Sequence, residues 1–347
     1  MNELPLRIEL LGGRIVVDPY ELLGRSRATD QDVAILSGTL LEGFGNFYSD
    51  LDLYVIGEEL PDKGPETPAM LVIREDGCVR RINETLQDPA HILLDVQYYT
   101  FRELDTLARS LRALYQESRQ STQIYRKTLH HEDEDLIHKL LTGTVLQDGT
   151  GEFDARRTFD PGMFCFLKYR NEVGGYAEFR DLVGSWSAGD LDTCVYNIRG
   201  YLISQVSGMM YLAGSTNPRP KWFVRRLASL PADYTDIKAG VMSWIEGPHL
   251  TELQKREAVM SACDLIDAAY KHARALLGTN PSYFSAKEAY DLTEREFEGR
   301  ATRDKDTLAE WHLRRRMFSH ANPPLTMEID SQFCRPYRSD ATHARLA

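Results

Sequence analysis

No apolar run in the sequence approaches the ~18 residues that a membrane-spanning helix needs, so a helical membrane anchor is not expected. Cysteine is sparse. The five cysteines, at 78, 165, 194, 263 and 334, are odd in number and form no Cys-x-x-Cys. This gives no support to a disulfide framework or a zinc knuckle, and fits reduced thiols in the cytoplasm. A basic surplus is also missing: 41 Lys+Arg stand against 52 Asp+Glu, a net charge of −11. Nucleic acid is therefore not an expected partner, though a local basic groove would be compatible with that balance. An acidic chain has no reason to seek an anionic lipid surface either. The opening residues Met1-Asn2-Glu3-Leu4-Pro5 offer neither the basic stretch nor the apolar core of a signal peptide. No internal repeat or low-complexity segment is visible.

What is present is an ordinary globular composition. The chain has 347 residues, 42% hydrophobic and 27% charged, enough for two or three domains with cores of their own. The first third reads as mixed α/β. Residues 18–26 predict a short helix, and Asp32 to Gly38 a buried strand ending in a glycine turn. Leu51–Gly57 and His91–Thr100 predict further strands, and Asp76-Gly77 predicts a hairpin between Met70–Arg74 and Cys78–Ile82. Three prolines place residues 61–68 in a loop.

After this the period changes to that of a helix. Leu104, Leu107, Leu111 and Leu114 share one helical face. Helices are expected over 132–142, 163–183, 190–213 and 221–229, with a connecting loop over 145–162. Thr251/Gln254 and Ser285/Glu288 are capping boxes opening two more helices, the first ending at Gly278 and the second near 299. A last helix runs to about 318, followed by an extended tail. The expected architecture is α+β: a small mixed β-sheet domain over 1–102, a larger all-helical domain over 103–320, and an extended C-terminal tail over 321–347.

One stretch carries chemistry: Gly38-Thr-Leu-Leu-Glu-Gly-Phe-Gly-Asn-Phe-Tyr-Ser-Asp-Leu-Asp52. Asp50 and Asp52 lie two apart at a strand start, so both carboxylates leave the same face, while Leu51, Leu53 and Val55 leave the other. Two carboxylates side by side repel unless a cation joins them, and Mg²⁺ favours carboxylate oxygens together with substrate phosphates. Gly38 and Thr39 end the preceding strand. There a glycine allows close backbone approach, and a hydroxyl with backbone N–H groups suits phosphate oxygens. Asp95, central in an otherwise apolar β-run, is the candidate third carboxylate, because a buried aspartate needs a partner or a metal.

This pattern resembles the DNA-polymerase-beta-like nucleotidyltransferase superfamily, whose members carry a Gly-Ser turn, a further Gly, then Ser-Asp-x-Asp. The matching residues are Gly38, Thr39, Gly43, Ser49, Asp50 and Asp52, with Thr39 in place of the usual serine. The spacing fits the small-molecule branch, including kanamycin-type (aminoglycoside) nucleotidyltransferases. The stretch Pro218-Arg-Pro-Lys-Trp222 looks like one found in the helical domains of several such enzymes, and would place Lys221 against nucleotide phosphates.

The resemblance implies an enzyme that uses Mg²⁺, two ions in the fullest case, and an NTP, most simply ATP. It would transfer NMP to a hydroxyl of a small-molecule acceptor and release pyrophosphate. Asp50, Asp52 and Asp95 would be catalytic and metal-ligating; Gly38, Thr39, Ser49 and Lys221 would hold the nucleotide. A homodimer is compatible with the resemblance. The alternatives are a protein or RNA acceptor, synthesis of a nucleotide signal, and a non-catalytic nucleotide sensor with the same fold. Other clusters read as structural. Glu42 is expected as a solvated loop charge and Arg314-Arg315-Arg316 as a solvated helix face. Arg225 and Arg226 are expected as surface or salt-bridge residues, and His130-His131 with the acids after them as a solvated helix start.

Overall fold

The computed structural model describes residues 7–46, 48–62, 71–86, 92–174, 176–247, 251–300 and 305–329. Residues 63–70, which include most of the expected proline loop, and 330–347 of the expected tail lie outside them. The fold is α+β, with a mixed sheet towards the N-terminus and helices after it. The chain divides into two compact units. The first takes residues 1–111 and 129–160; the second takes 112–128 and 161–347.

The first unit opens with a two-stranded hairpin, β1 (Ile8–Leu10) and β2 (Ile15–Val17), and helix α1 (Pro19–Ser26). Asp18 caps α1 by accepting from the Tyr20 N–H at 2.8 Å, Pro19 starts it with a pre-set φ, and Arg27 ends it in the left-handed region at φ 58°. The strands that follow are β3 (Val33–Ser37), β4 (Leu51–Gly57), β5 (Leu71–Glu75), β6 (Cys78–Thr85) and β7 (Leu93–Thr100). Helix α2 (Phe101–Ser118) comes next, then α3 (His131–Thr142), strand β8 (Thr144–Asp148) and a single helical turn, α4 (Ala155–Thr158).

The sheet order is β5-β6-β7-β4-β3-β8. β4 and β7 run parallel, and every other neighbouring pair is antiparallel. One face is apolar: Leu36, Leu51, Leu53, Val55, Ile82, Leu94 and Val96 join Leu22 of α1 and Leu10, Ile15 and Val17 of the hairpin in one buried cluster. The period-2 alternation then places Asp52 and Tyr54 of β4, and Asp95 and Gln97 of β7, on the opposite face.

The second unit contains α5 (Pro161–Glu172), α6 (Tyr176–Ala188), α7 (Leu191–Leu212), α8 (Phe223–Ser229), α9 (Thr235–Glu246), α10 (Glu252–Leu277), α11 (Ala286–Glu298), α12 (Lys305–Phe318) and α13 (Leu325–Ile329). Helix α7 is central, with α5, α6 and α10 packed on it through Ile198, Leu202, Val206 and Met209. Both expected capping boxes form: Thr251 with Gln254, and Ser285 with Glu288.

Several expectations are corrected. The loop expected over 145–162 contains β8 and α4; β8 is an edge strand with Leu146 as its one fully buried residue, too little for a period-2 signal. The helix expected over 163–183 is two helices, broken at Gly174, whose φ of 103° excludes helical continuation. The tail expected after Pro324 begins as a helix, with Leu325 and Ile329 fully buried and the Leu325 N–H held by Asp267 Oδ2 at 2.6 Å. The Arg314–Arg316 run is not a solvated face. Arg314 pairs with Glu296 and Glu310, and Arg316 with Asp267 at 2.9 Å, both arginines being buried. Arg226 is likewise buried, with its guanidinium 4.4 Å over the Tyr211 ring. Runs of adjacent arginines give no sign of such burial, because their long stems enter a core that pairs only their heads.

The thiols are graded by burial. Cys165, Cys194 and Cys263 are buried, and burial pushes Cys194 up to about 11 and Cys263 up to about 12, so little of either is thiolate at neutral pH. Cys78 is half-exposed on β6. A short pulse of iodoacetamide at pH 8 on the native protein should alkylate Cys78 before Cys165, Cys194 and Cys263. Peptide mass spectrometry showing Cys194 or Cys263 labelled as fast as Cys78 would contradict this packing.

Candidate metal centre

The polar face of the first unit's sheet is assembled by register. Asp52 on β4 pairs with Asp95 on parallel β7, and antiparallel pairing sets Ser37 of β3 beside Asp52 and Asn83 of β6 beside Asp95. A row of Ser37, Asp52, Asp95 and Asn83 therefore crosses four strands. Asp50 precedes β4 by one residue. The carboxylates of Asp50, Asp52 and Asp95 each place an oxygen within 4.8 Å of the others, the one group of its kind among the described residues that could hold a metal ion. Oxygens around an octahedral Mg²⁺ at about 2.1 Å stand about 3 Å apart in cis and about 4.2 Å in trans, so the separation suits one ion or two bridged ions. Three carboxylates make a hard donor set of the kind that favours Mg²⁺, Mn²⁺ or Ca²⁺.

Like charges this close need compensation, and two cations supply it. Lys139 of α3 places Nζ 2.5 Å from Asp52 Oδ2, with both side chains buried. Arg81 of β6 donates from Nε to Asp95 Oδ1 at 2.6 Å, and Gln97 donates to Oδ2 of the same carboxylate at 3.0 Å. Ser37 Oγ donates to the Lys139 carbonyl at 2.8 Å, which ties α3 to β3. Burial above all holds the Asp52 carboxyl up at about 6; Lys139 opposes the shift, while Asp50 and Asp95 add to it.

The turn after β3 lies against this group. Gly38 has φ of 113°, and a Cβ added there would collide with Asp52 Oδ2. Only glycine lets the backbone run this close to the carboxylate. The turn closes with the Glu42 N–H on the Gly38 carbonyl at 3.2 Å, and the Phe44 and Gly45 N–H groups on the Thr39 carbonyl at 2.9 and 2.7 Å. Thr39 is half-buried at its start. Ser49 is used locally: its Oγ accepts from the Asn46 N–H at 3.0 Å, fixing the bend that leads into Asp50. Glu42, expected to be solvated, is instead packed beside His138, with Oε2 and Nε2 3.1 Å apart, because α3 covers the turn. Lys221 belongs to the second unit, on a 3₁₀ turn, Pro220–Trp222, where its ammonium lies 5.1 Å over the Trp222 ring.

The acids stand out in the sequence; their counter-charges do not. Lys139 had a signal: Leu-Ile-His-Lys-Leu-Leu places a lysine inside an apolar run, and a buried lysine needs a carboxylate. Arg81 had none, since its partner depends on the register of β6 against β7.

No protein-family model matches the chain, and no match is found among curated proteins. Among solved structures it is similar to a nucleotidyltransferase-like protein from Exiguobacterium sibiricum, with 11% sequence identity, a TM-score of 0.35, and coverage of 74% of this chain and 75% of that chain. A likeness at that level carries neither fold nor activity across. What stands on the chain's own geometry is an α+β protein with a three-carboxylate group able to hold a metal ion.

The sign of the Asp52 shift gives a test. Its folded value lies above the unfolded 3.8, so the folded state binds more protons, and stability falls as pH rises between about 4 and 6. Without divalent metal, the wild-type Tm should therefore fall as pH rises from about 4 to 6, and that pH dependence should shrink in Asp52→Asn, whatever the absolute cost of leaving Lys139 without its carboxylate. Added Mg²⁺ should raise the wild-type Tm and leave the variant nearly unchanged. An equal Mg²⁺ response in both proteins, read by scanning calorimetry, would rule Asp52 out as a ligand.

Proposed function

We propose that the protein is a Mg²⁺-dependent nucleotidyltransferase that moves an NMP, most simply AMP from ATP, onto a hydroxyl of a small-molecule acceptor. The observation that carries this reading is the register pair Asp52–Asp95 on parallel strands, with Asp50 within reach and the Gly38 backbone pressed against Asp52. The Gly38-Thr39 turn and the Ser49-Asp50-x-Asp52 spacing agree with it. When bound, the divalent ions would supply charge for the entering and leaving oxygens of an in-line displacement at phosphorus.

The chain's own groups have separate tasks in this reading. Asp50 and Asp52 hold the metal side of the triphosphate. Asp95, kept in place by Arg81 and Gln97, completes the donor set and in this reading takes the proton of the attacking hydroxyl. The backbone of the Gly38 turn and the Thr39 hydroxyl receive phosphate oxygens. Lys139 keeps the acids together before the ions arrive. Lys221 is the proposed contact from the helical part. A cationic acceptor would suit the chain's net charge of −11.

Pyrophosphate release from ATP with Mg²⁺ and a panel of hydroxyl acceptors tests this. Asp50→Asn or Asp52→Asn should reduce turnover by about 10³-fold or more, the scale of losing an essential electrostatic element. Thr39→Ala should lose far less, because the backbone donors remain. Full turnover in Asp50→Asn would refute the assignment, and damage at Thr39 equal to that at Asp50 would refute the division of roles.

One observation favours a second reading. Lys139 and Arg81 already neutralise two of the three acids, as a nucleotide sensor without turnover would require. Titration calorimetry separates the two. Saturable ATP binding that ignores Mg²⁺, with no pyrophosphate formed, would favour the sensor; binding that requires Mg²⁺ favours the enzyme.

A further inference from the structure

A second concentration of charge lies in the helical unit, of opposite sign to the first. A cavity of about 290 Å³ is walled by Asp267, Lys271 and Arg274 of α10, by Arg316 of α12, and by the turn Ser319–Pro324. Its size falls near the lower end of small-molecule pockets, about 300–1,000 Å³. Asp267, Lys271 and Arg274 recur at the i, i+4, i+7 spacing that puts them on one face of α10. Asp267 is the one acid in the wall, and both its oxygens are in use: Oδ1 accepts from Arg316 at 2.9 Å and Oδ2 from the Leu325 N–H at 2.6 Å.

Among the described residues, the cavity wall carries more positive than negative charge. Lys271, Arg274 and Arg316 against Asp267 give +3 − 1 = +2, before any charge on His320 at the rim. Arg274 spends one Nη1 hydrogen on the Arg316 carbonyl at 2.9 Å, while its Nε is buried and makes no hydrogen bond among the described residues. Lys271 is exposed and has no carboxylate within ion-pair distance among the described residues. Burial, and the neighbouring Arg316, press the Arg274 guanidinium below its usual range. Lys271 and Arg274 thus face one cavity on adjoining turns without an ion-pair partner among the described residues, an arrangement that an anion would complete.

We propose that this cavity is an anion site for a phosphoryl dianion, bound between the guanidinium of Arg274 and the ammonium of Lys271. A guanidinium edge matches two oxygens of a tetrahedral oxyanion, and a lysine adds a mobile point charge. A dianion would balance the +2 wall, whereas a single carboxylate would leave half of it. Pro323 and Pro324 give the rim a fixed backbone, so the site is built rather than closed on arrival. The site is independent of the carboxylate group and of the reaction proposed for it.

Titration calorimetry in EDTA, which removes divalent ions from the acidic group, provides the test with inorganic phosphate, glycerol 3-phosphate and acetate as probes. Saturable binding of either phosphate, and none of acetate, is expected. Tighter binding of glycerol 3-phosphate would identify an organic phosphate as the ligand, and equal or tighter inorganic phosphate would identify the free ion. Lys271→Gln and Arg274→Gln should each weaken binding about tenfold or more, the scale of one charge-assisted hydrogen bond. Lys287→Gln, at an exposed pair with Asp291, should bind as wild type does. Because Lys271 is exposed, its variant will fold even if Arg274→Gln does not. No saturable phosphate binding, acetate binding as well as phosphate, or unchanged affinity in Lys271→Gln would overturn the proposal.

Discussion

Three carboxylates on one face of a sheet repel, and the first unit is organised around containing that repulsion. Asp52 and Asp95 are locked side by side by the parallel pairing of β4 with β7, so neither can move away without breaking the ladder. Relief has to come from cations, and two different elements deliver them. Arg81 comes from the neighbouring strand, and Lys139 from a helix that arrives much later in the chain. The Ser37–Lys139 carbonyl bond and the Gly38 turn then set how closely that helix and the β3–β4 corner can approach. The apolar reverse face supplies the rigidity, since a one-residue slip of β4 would turn Leu51, Leu53 and Val55 outward and Asp52 into the core.

Much of this was legible from the amino-acid order alone. β4 was bounded at Leu51–Gly57, and the Asp76-Gly77 hairpin and both capping boxes formed as their residues dictate, because turn and cap chemistry is local. Asp95 was recognisable as an acid inside an apolar strand. The structure adds the pairing that puts it beside Asp52, which no local pattern specifies. The β1–β2 hairpin and β8 were not legible: three residues, or one buried leucine, are too short for periodicity to register. The arginines at 226, 314 and 316 are hidden for a related reason, since each has a partner on another helix: Tyr211 for Arg226, Glu296 for Arg314 and Asp267 for Arg316.

The two units handle charge in opposite ways. In the first, acids are gathered and partly neutralised, leaving a carboxyl held up at about 6. In the second, Arg170 is fully buried and donates to the carbonyls of Ser118, Ser121 and Gln123, with no carboxylate acceptor among the described residues. That arginine ties the end of α2 and the segment after it, so a guanidinium does there what a glycine or asparagine often does at a helix C-terminus. Charge in this protein is thus used both to hold backbone and to leave sites electrostatically unsatisfied.

The late arrival of α3 and β8 has a consequence for how the protein is made. Strands β3 to β7 are complete once residue 100 has been synthesised, but β8 and Lys139 belong to residues 129–160 of the same unit. At about 5–20 residues per second of translation, the nascent sheet waits for seconds with β3 as an open edge and Asp52 lacking its ammonium. An exposed strand edge is a template for unwanted pairing, and the uncovered acidic cluster beside it is a source of repulsion between copies. The charges that later organise the site would, in that interval, help keep nascent chains apart.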